Sequence, residues 1–346
     1  MRTQNEITVS TQVPSEDGHI TSPGWARTDV IRYVRKNIKA PWFRKKEWDY
    51  YLFTNDRFGL AFTISDLGYI GLLSVSFLDF ESKTEHTESE ITVFPRGKAF
   101  GLGTCVPDAH GECHTKRLDM VFENREGCRH ISCDFRGFDR DRNLRAELDI
   151  YEPGREALYI ATPWKEKPTA FYYNCKFNCL EAEGTVAYGD RTETFTRKET
   201  LGVLDWGRGV WTYDNTWFWG TGSGRVGEES FGFNLGYGFS DRTSASENAV
   251  FYQGKVHKLS EVDFGIPKKD GKYQFLEPWN ITSDDGAFTG TFVPIMDRSA
   301  CMDYKLIVSD QHQVFGRMTG KARLEDGSTV EFHDFLCALE VVRNKY

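Results

Sequence analysis

Residues 231–239 constrain this chain more than any other stretch. Phe231, Phe233, Leu235, Tyr237 and Phe239 alternate with Gly232, Asn234, Gly236 and Gly238. Strict period-two alternation describes a strand with one bulky face and one nearly bare face, and a helix would scatter the same residues around its axis. A bare strand face lets a ligand or another backbone approach closely. Residues 217–223 predict the preceding strand, and the glycine-containing run 224–228 predicts the hairpin loop. Asp205-Trp206-Gly207-Arg208-Gly209 is expected in the loop that feeds this hairpin. Four of the nine tryptophans, Trp206, Trp211, Trp217 and Trp219, fall between residues 201 and 239.

The same texture recurs along the chain. Strands are expected at 60–65, 69–79, 118–123, 130–135 and 144–150, separated by Gly, Asn and Asp clusters. A long aromatic strand over 170–187 is expected to bridge two halves. Further strands follow at 249–252, 255–259, 273–282, 287–293, 314–324 and 328–342. One short helix is expected from Thr28 or Asp29 to Ile38, with Val30, Ile31, Tyr33 and Val34 as its apolar side and Pro41 as its stop. A chain of 346 residues fits two domains. The pattern predicts an all-β protein of sandwiches or barrels; as two diverged β-barrels it divides into an arm with the helix over 1–45, a first barrel over 46–185 and a second over 186–346. Barrels of this kind leave no free edges and can enclose an apolar ligand.

A net charge of −8 argues against nucleic acid as a partner, since phosphate binding needs a basic surface. The basic run 32–46 is read as a solvated face rather than a nucleic-acid or lipid patch. No run of 18 apolar residues exists, so no membrane span is expected. The first ten residues lack the apolar core of a signal peptide, which points to the cytoplasm and to free thiols at all eight cysteines.

Asp205 and Arg208 are three apart in an apolar segment and could pair bidentately. Such a pair serves equally as a structural tie or as a handle for charge on a ligand. Glu247 and Asn248 precede an apolar strand. A carboxyl group buried beside tryptophan rings has its pKa raised and can donate a proton, yet the same two residues could simply satisfy backbone groups. Asp79 and Glu81, at a strand end, are expected to meet solvent. Cys105, His110, Cys113 and His114 match no standard zinc spacing, and no metal or cofactor is expected. There is no Gly-x-Ser-x-Gly elbow, phosphate-binding loop or dinucleotide fingerprint.

Several segments carry a family resemblance. They are Leu-Asp-Trp-Gly-Arg-Gly-Val-Trp at 204–211, Trp-Phe-Trp-Gly at 217–220, Ser-Glu-Asn-Ala at 246–249, Gly-Trp-Ala-Arg at 24–27, Lys-Glu-Trp-Asp-Tyr-Tyr at 46–51 and Pro-Trp-Asn-Ile-Thr-Ser at 278–283. Together they resemble a bacterial family classed as a domain of unknown function, over about residues 14–340. That family is grouped by fold with tandem lipocalin-like (calycin) proteins, among them carotenoid hydratases and tocopherol cyclases. The resemblance implies two tandem lipocalin-like barrels; no catalytic motif of either enzyme maps onto this sequence.

The combined expectation is acid–base chemistry, such as hydration, cyclisation or isomerisation, on an apolar or partly apolar small molecule. Asp205 or Glu247 would be the acid and Arg208 would hold a polar head. Trp206, Trp211, Trp217 and Trp219 would line the pocket, with Asn234 and Asn248 as further ligand contacts. The alternatives are a non-catalytic carrier of a lipid or metabolite on the same barrels, and a carbohydrate-active protein using two carboxylates and stacking rings.

Overall fold

A computed structural model describes residues 3–345 apart from 153, 304 and 306. The first strands in chain order are β1 (Thr11–Val13), β2 (Gly24–Ala26), β3 (Ile31–Tyr33), β4 (Lys45–Thr54), β5 (Phe58–Asp66), β6 (Ile70–Asp79), β7 (Thr84–Val93), β8 (Gly111–His114) and β9 (Leu118–Arg125). They continue with β10 (Cys128–Asp139), β11 (Arg142–Tyr151), β12 (Leu158–Pro163), β13 (Phe171–Tyr188), β14 (Arg191–Phe195), β15 (Leu201–Val210), β16 (Asp214–Val226) and β17 (Glu229–Tyr237). The last are β18 (Ala249–Tyr252), β19 (Lys255–Lys258), β20 (Val262–Asp263), β21 (Lys268–Lys269), β22 (Lys272–Tyr273), β23 (Trp279–Ser283), β24 (Phe288–Asp303), β25 (Val308–Arg323) and β26 (Thr329–Lys345).

Two large sheets result. The first has the order β7-β6-β5-β4-β15-β13-β11-β10-β9-β8, with β12, β14 and β2 joined at its side. It curls until His86 on β7 bonds the Phe138 carbonyl on β10 at 2.8 Å and Arg117 reaches Glu88 and Glu90 on β7. The second has the order β19-β18-β17-β16-β26-β25-β24-β23-β20 and curls around its own core of Phe231, Phe233, Leu235, Trp279, Phe288 and Phe292. The all-β expectation thus holds as two curled half-barrels. The chain changes sheets at residues 211–213, later than the expected 185, because residues 171–188 and 201–210 are central strands of the first sheet.

The predicted hairpin is present, with β16 and β17 paired from Val226–Glu229 to Phe218–Tyr237. β17 stops at Tyr237, and Gly238 turns the chain at a φ of 88°, so Phe239 leaves the strand. Two expectations are corrected. No α-helix forms among the described residues of the arm. Ile31 and Tyr33 are buried on either side of exposed Arg32 in β3, which pairs in parallel with β1, and only 3₁₀ turns follow at Arg35–Asn37 and Trp42–Arg44. β-branched and aromatic side chains favour the strand here. Asp205–Gly209 is likewise no loop, since it lies within β15, hydrogen-bonded to β13 on one side and β4 on the other.

Candidate functional site

Alternation on three neighbouring strands decides where each polar residue goes. On β15, Leu204, Trp206 and Arg208 face the interior of the first sheet, while Val203, Asp205 and Gly207 face outward. On β4, Tyr51 and Phe53 join that interior, and Trp48, Tyr50 and Leu52 face outward. On β13, Tyr173, Cys175 and Phe177 point in, and Tyr172, Asn174, Lys176 and Asn178 point out. The outward faces pack against the second sheet through Trp219, Met296, Phe315 and Ala338, forming a third apolar cluster at the seam.

Two rungs meet there. Across the first sheet, Lys176 pairs in register with Asp205 and Asp205 with Tyr50. Across the second, Trp219 pairs with Glu340, Glu340 with Gln313 and Gln313 with Arg298. The rungs touch where Tyr50 sets its ring edgewise on Trp219, at 6.1 Å, and donates its hydroxyl hydrogen to Gln313 at 3.3 Å.

Lys176 is 2% exposed and places its Nζ 3.0 Å from Asp205, 3.3 Å from Glu247 and 4.8 Å from the centre of the Trp219 ring. Burial opposes its charge, but the two carboxylates outweigh burial and hold the ammonium above its usual pKa. Asn174 donates to Asp205 at 2.7 Å, and Tyr172 to Glu247 at 3.3 Å. Asn234 accepts from the Trp219 N–H at 2.8 Å and donates to the Glu247 carbonyl at 2.8 Å. Asp205 and Glu247 keep 13% and 12% of their side-chain surface exposed, against 2% for Lys176.

Glu340 is held differently. Its carboxylate accepts hydrogen bonds from two neutral donors, the Trp217 N–H at 3.0 Å and the Gln313 amide at 3.0 Å. Burial pushes its pKa up; the Trp217 hydrogen bond and the Arg298 charge oppose that, and the Asp205 charge adds to it.

One end of the seam is aromatic. Trp211 meets Trp48 at 5.3 Å, Trp217 at 5.6 Å and Phe239 at 5.1 Å, and Phe239 touches Tyr172 and Trp164. Gly207 leaves the space for the Trp48 ring, because a Cβ there would lie 2.0 Å from it. Outside this end runs an open groove of about 710 Å³ that shares Trp164 and is otherwise lined mostly by polar residues such as Asp214, Ser240 and Arg242, with Tyr237 and Val262. At the opposite end, between Leu52, Val203, Phe315 and Ala338, the gap is about 10 Å³, the size of one water. The bare face of β17 is filled by protein: a Cβ on Gly232 would meet Cys179, and one on Gly236 would lie 2.2 Å from the Glu247 carboxylate.

Of the residues singled out from sequence, Asp205, Glu247, Trp217, Trp219 and Asn234 come together. Trp206 and Arg208 do not join them. A separation of three on a strand puts Asp205 and Arg208 on opposite faces, which rules out their pairing. Arg208 is fully buried inside the first sheet, bonded to Asp49 at 2.8 Å and to the Gly103 carbonyl, with its guanidinium 4.0 Å over Trp206. Asn248 is a strut that accepts from the Gly236 N–H at 2.6 Å and donates to the Ser260 carbonyl at 2.9 Å. Asp79 pairs with Arg191 at the end of β6. Cys113 and His114 are neighbours on β8, so Cys113 enters the barrel while His114 turns out to Asp119 at 2.9 Å. Sequence reasoning missed Lys176, Tyr50 and Glu340. The signal for Lys176 was present, as the polar series Asn174, Lys176, Asn178 alternates with Tyr173, Cys175 and Phe177.

Two sheets curled back to back around separate cores, with a polar seam between them, define a tandem lipocalin-like protein. The chain belongs to the family described as Domain of unknown function (DUF2804), whose model matches residues 4–346. Among solved structures it is similar to CghA with Sch210972, at a TM-score of 0.53 and 11% identity, covering 87% of this chain and 88% of that one. It is also similar to kievitone hydratase from Nectria haematococca, at a TM-score of 0.51 and 9% identity, again over 87% and 88% of the two chains. These likenesses establish the fold. No curated protein matches the sequence.

Proposed function

We propose that the chain is an enzyme of hydration, cyclisation or isomerisation type, acting at the seam on a small molecule with a substantial apolar part. The observation that supports this best is the contrast between its carboxylates. Asp205 and Glu247 both lie against the ammonium of Lys176, whereas Glu340 takes hydrogen bonds from neutral donors and burial raises its pKa. Carboxyl groups held in such different surroundings can divide the roles of acid and base. In this reading Glu340 protonates an alkene or leaving group, and Asp205, with Glu247 behind it, takes up a proton or steadies developing positive charge. Trp217 and Trp219 supply the π-faces a cation favours. Trp211 and Phe239 form the apolar wall through which a ligand passes from the outer groove. Neither a metal nor an organic cofactor is needed for protonation followed by deprotonation. The fold is one on which a hydratase has been solved.

The test begins with native mass spectrometry of protein purified from a bacterial host, to identify any small molecule it retains. That molecule is then incubated with the protein in deuterated water. The enzyme reading expects deuterium incorporation or turnover that falls at least about a hundredfold in Asp205→Asn and in Glu340→Gln. Saturable binding that survives both substitutions, with no exchange, would leave a carrier and sink the enzyme. Retention of soluble oligosaccharides instead would favour a carbohydrate-active protein.

A further inference from the structure

Away from the seam, the exposed apolar surface is unevenly distributed. Of the eleven large hydrophobic residues exposed among those described, five (Trp42, Phe43, Ile91, Val93 and Phe94) lie around the tip of the β5–β6 hairpin. Trp42 meets Phe43 at 5.8 Å and Phe94 at 6.0 Å, both edgewise. The Trp42–Arg44 turn is seated on Gly68, where a Cβ would lie 2.6 Å from the Trp42 carbonyl oxygen. Phe94 and Arg96 donate their backbone N–H groups to the Tyr69 and Gly68 carbonyls at 2.9 and 3.4 Å. Both take left-handed backbone, with φ of 55° and 56°, a conformation bulky residues avoid unless held there. Three aromatic rings on two short turns therefore project together, with Ile91 and Val93 leading into them along the edge strand β7.

The charge around this patch is of one sign. Residues 32–46 hold seven Lys and Arg and no Asp or Glu, in a chain whose net charge is −8; Lys46 is buried and Arg35 is paired with Glu47, which leaves Arg32, Lys36, Lys39, Arg44 and Lys45 at or near the surface. Arg96 and Lys98 add two more exposed cations on the adjoining turn, and Arg96 lies over Trp42 at 4.8 Å and Phe94 at 5.6 Å. The nearby acids are engaged elsewhere. Glu47 is buried against Tyr33 and Arg35, Asp66 accepts from the Gly68 and Gly97 N–H groups, and Glu88 and Glu90 face Arg117. At the margin, Asp17 precedes Gly18, which lies beside Lys39, and exposed Asp29 lies near Arg32.

We propose that this patch docks the protein on an anionic lipid bilayer, with Trp42, Phe43 and Phe94 entering the headgroup region and the surrounding Lys and Arg facing lipid phosphates. Aromatic rings flanked by cations suit that boundary, where apolar burial and attraction to anionic lipid add. A second copy of the chain is disfavoured, because two such patches would bring like charges together. The reading of the basic run as merely solvated does not account for the rings exposed within it. The docking does not depend on any chemistry at the seam. It would nevertheless bring the aromatic end of the seam near the bilayer, since Arg44 donates to the Trp211 carbonyl at 3.0 Å.

The experiment is co-sedimentation of the full chain with vesicles of phosphatidylcholine alone and of phosphatidylcholine with phosphatidylglycerol. Binding is expected to the anionic vesicles only and to weaken with added salt. A Trp42→Ala, Phe43→Ala, Phe94→Ala triple variant and an Arg96→Glu, Lys98→Glu double variant should each lose about tenfold or more in partitioning. The variant Leu276→Ala, Val293→Ala removes exposed apolar groups elsewhere and should bind as the parent does. Circular dichroism confirms that each variant is folded. Three results would overturn the proposal: no binding to anionic vesicles, binding undiminished in both patch variants, or self-association in sedimentation that the patch substitutions abolish.

Discussion

Lys176 shows at the scale of one residue how the seam is held. An ammonium that is 2% exposed has left nearly all contact with water and, among the described residues, is paired with Asp205 and Glu247. Removing the cation strands two partly buried anions, and breaking such a set costs about 3–5 kcal/mol. Lys176→Met should therefore lower the urea midpoint sharply, and Lys176→Met combined with Asp205→Asn and Glu247→Gln should recover much of the loss. Glu340 makes the opposite kind of prediction. Its folded pKa is raised by burial, so the folded state binds more protons than the unfolded state above the ordinary glutamate range. Its contribution is fully present at acid pH and is lost as pH rises through the raised value. Glu340→Gln should flatten that part of the stability profile, seen by denaturant melts between acid and neutral pH. An unchanged slope would show that Glu340 does not titrate in that window.

At the scale of the element, alternation did most of the work in the sequence and also set its limit. The bulky and bare faces of residues 231–239 were legible, and Phe231, Phe233 and Leu235 are fully buried in the second core. What lies against the bare face was not, because nothing local says that the Glu247 side chain fills the place a Cβ on Gly236 would take. Gly236→Ala should accordingly evict Glu247 and weaken the seam while leaving the β16–β17 hairpin formed. Amide exchange would show faster opening around Glu247 and unchanged protection along β17. The pairing expected of Asp205 and Arg208 failed for one reason: the segment was assigned to a loop, and in a strand the same spacing separates the two. In the arm, Val30, Ile31, Tyr33 and Val34 fit a helical face as well as a strand, and only pairing with β1 decides between them. Cysteine reactivity follows from the same alternation. Cys113, Cys133, Cys175, Cys179 and Cys337 point into cores, and burial pushes the Cys113 and Cys179 thiols up to about 12. Alkylation of the native protein should mark exposed Cys301 first and reach these five only on unfolding, as peptide mass mapping would reveal.

At the scale of the whole molecule, the two sheets share one contact surface rather than a flexible tether. Residues 211–213 connect them, and Trp219, Met296 and Phe315 of the second sheet close on Tyr50, Leu52 and Val203 of the first. We propose residues 211–213 as the working division for expressing the halves. Residues 212–346 expressed alone would expose that apolar and carboxylate-bearing face, and should aggregate or unfold without a cooperative transition. The intact chain should melt as one unit by calorimetry. Two separate transitions would mean that the seam contributes little. No helix among the described residues is long and apolar enough to cross a membrane.

The strands β4, β13 and β15 each look two ways at once, and this separates what selection can alter. Odd-numbered positions on β4, odd-numbered positions on β13 as far as Phe177 and even-numbered positions on β15 from Leu204 maintain the first barrel, while their alternates build the seam. Tyr172, Asn174, Lys176 and Asp205 thus belong to the seam, each one residue away from Tyr173, Cys175 or Trp206 of the first core. Interleaved in this manner, one short length of chain keeps its architecture fixed and its chemistry open to revision.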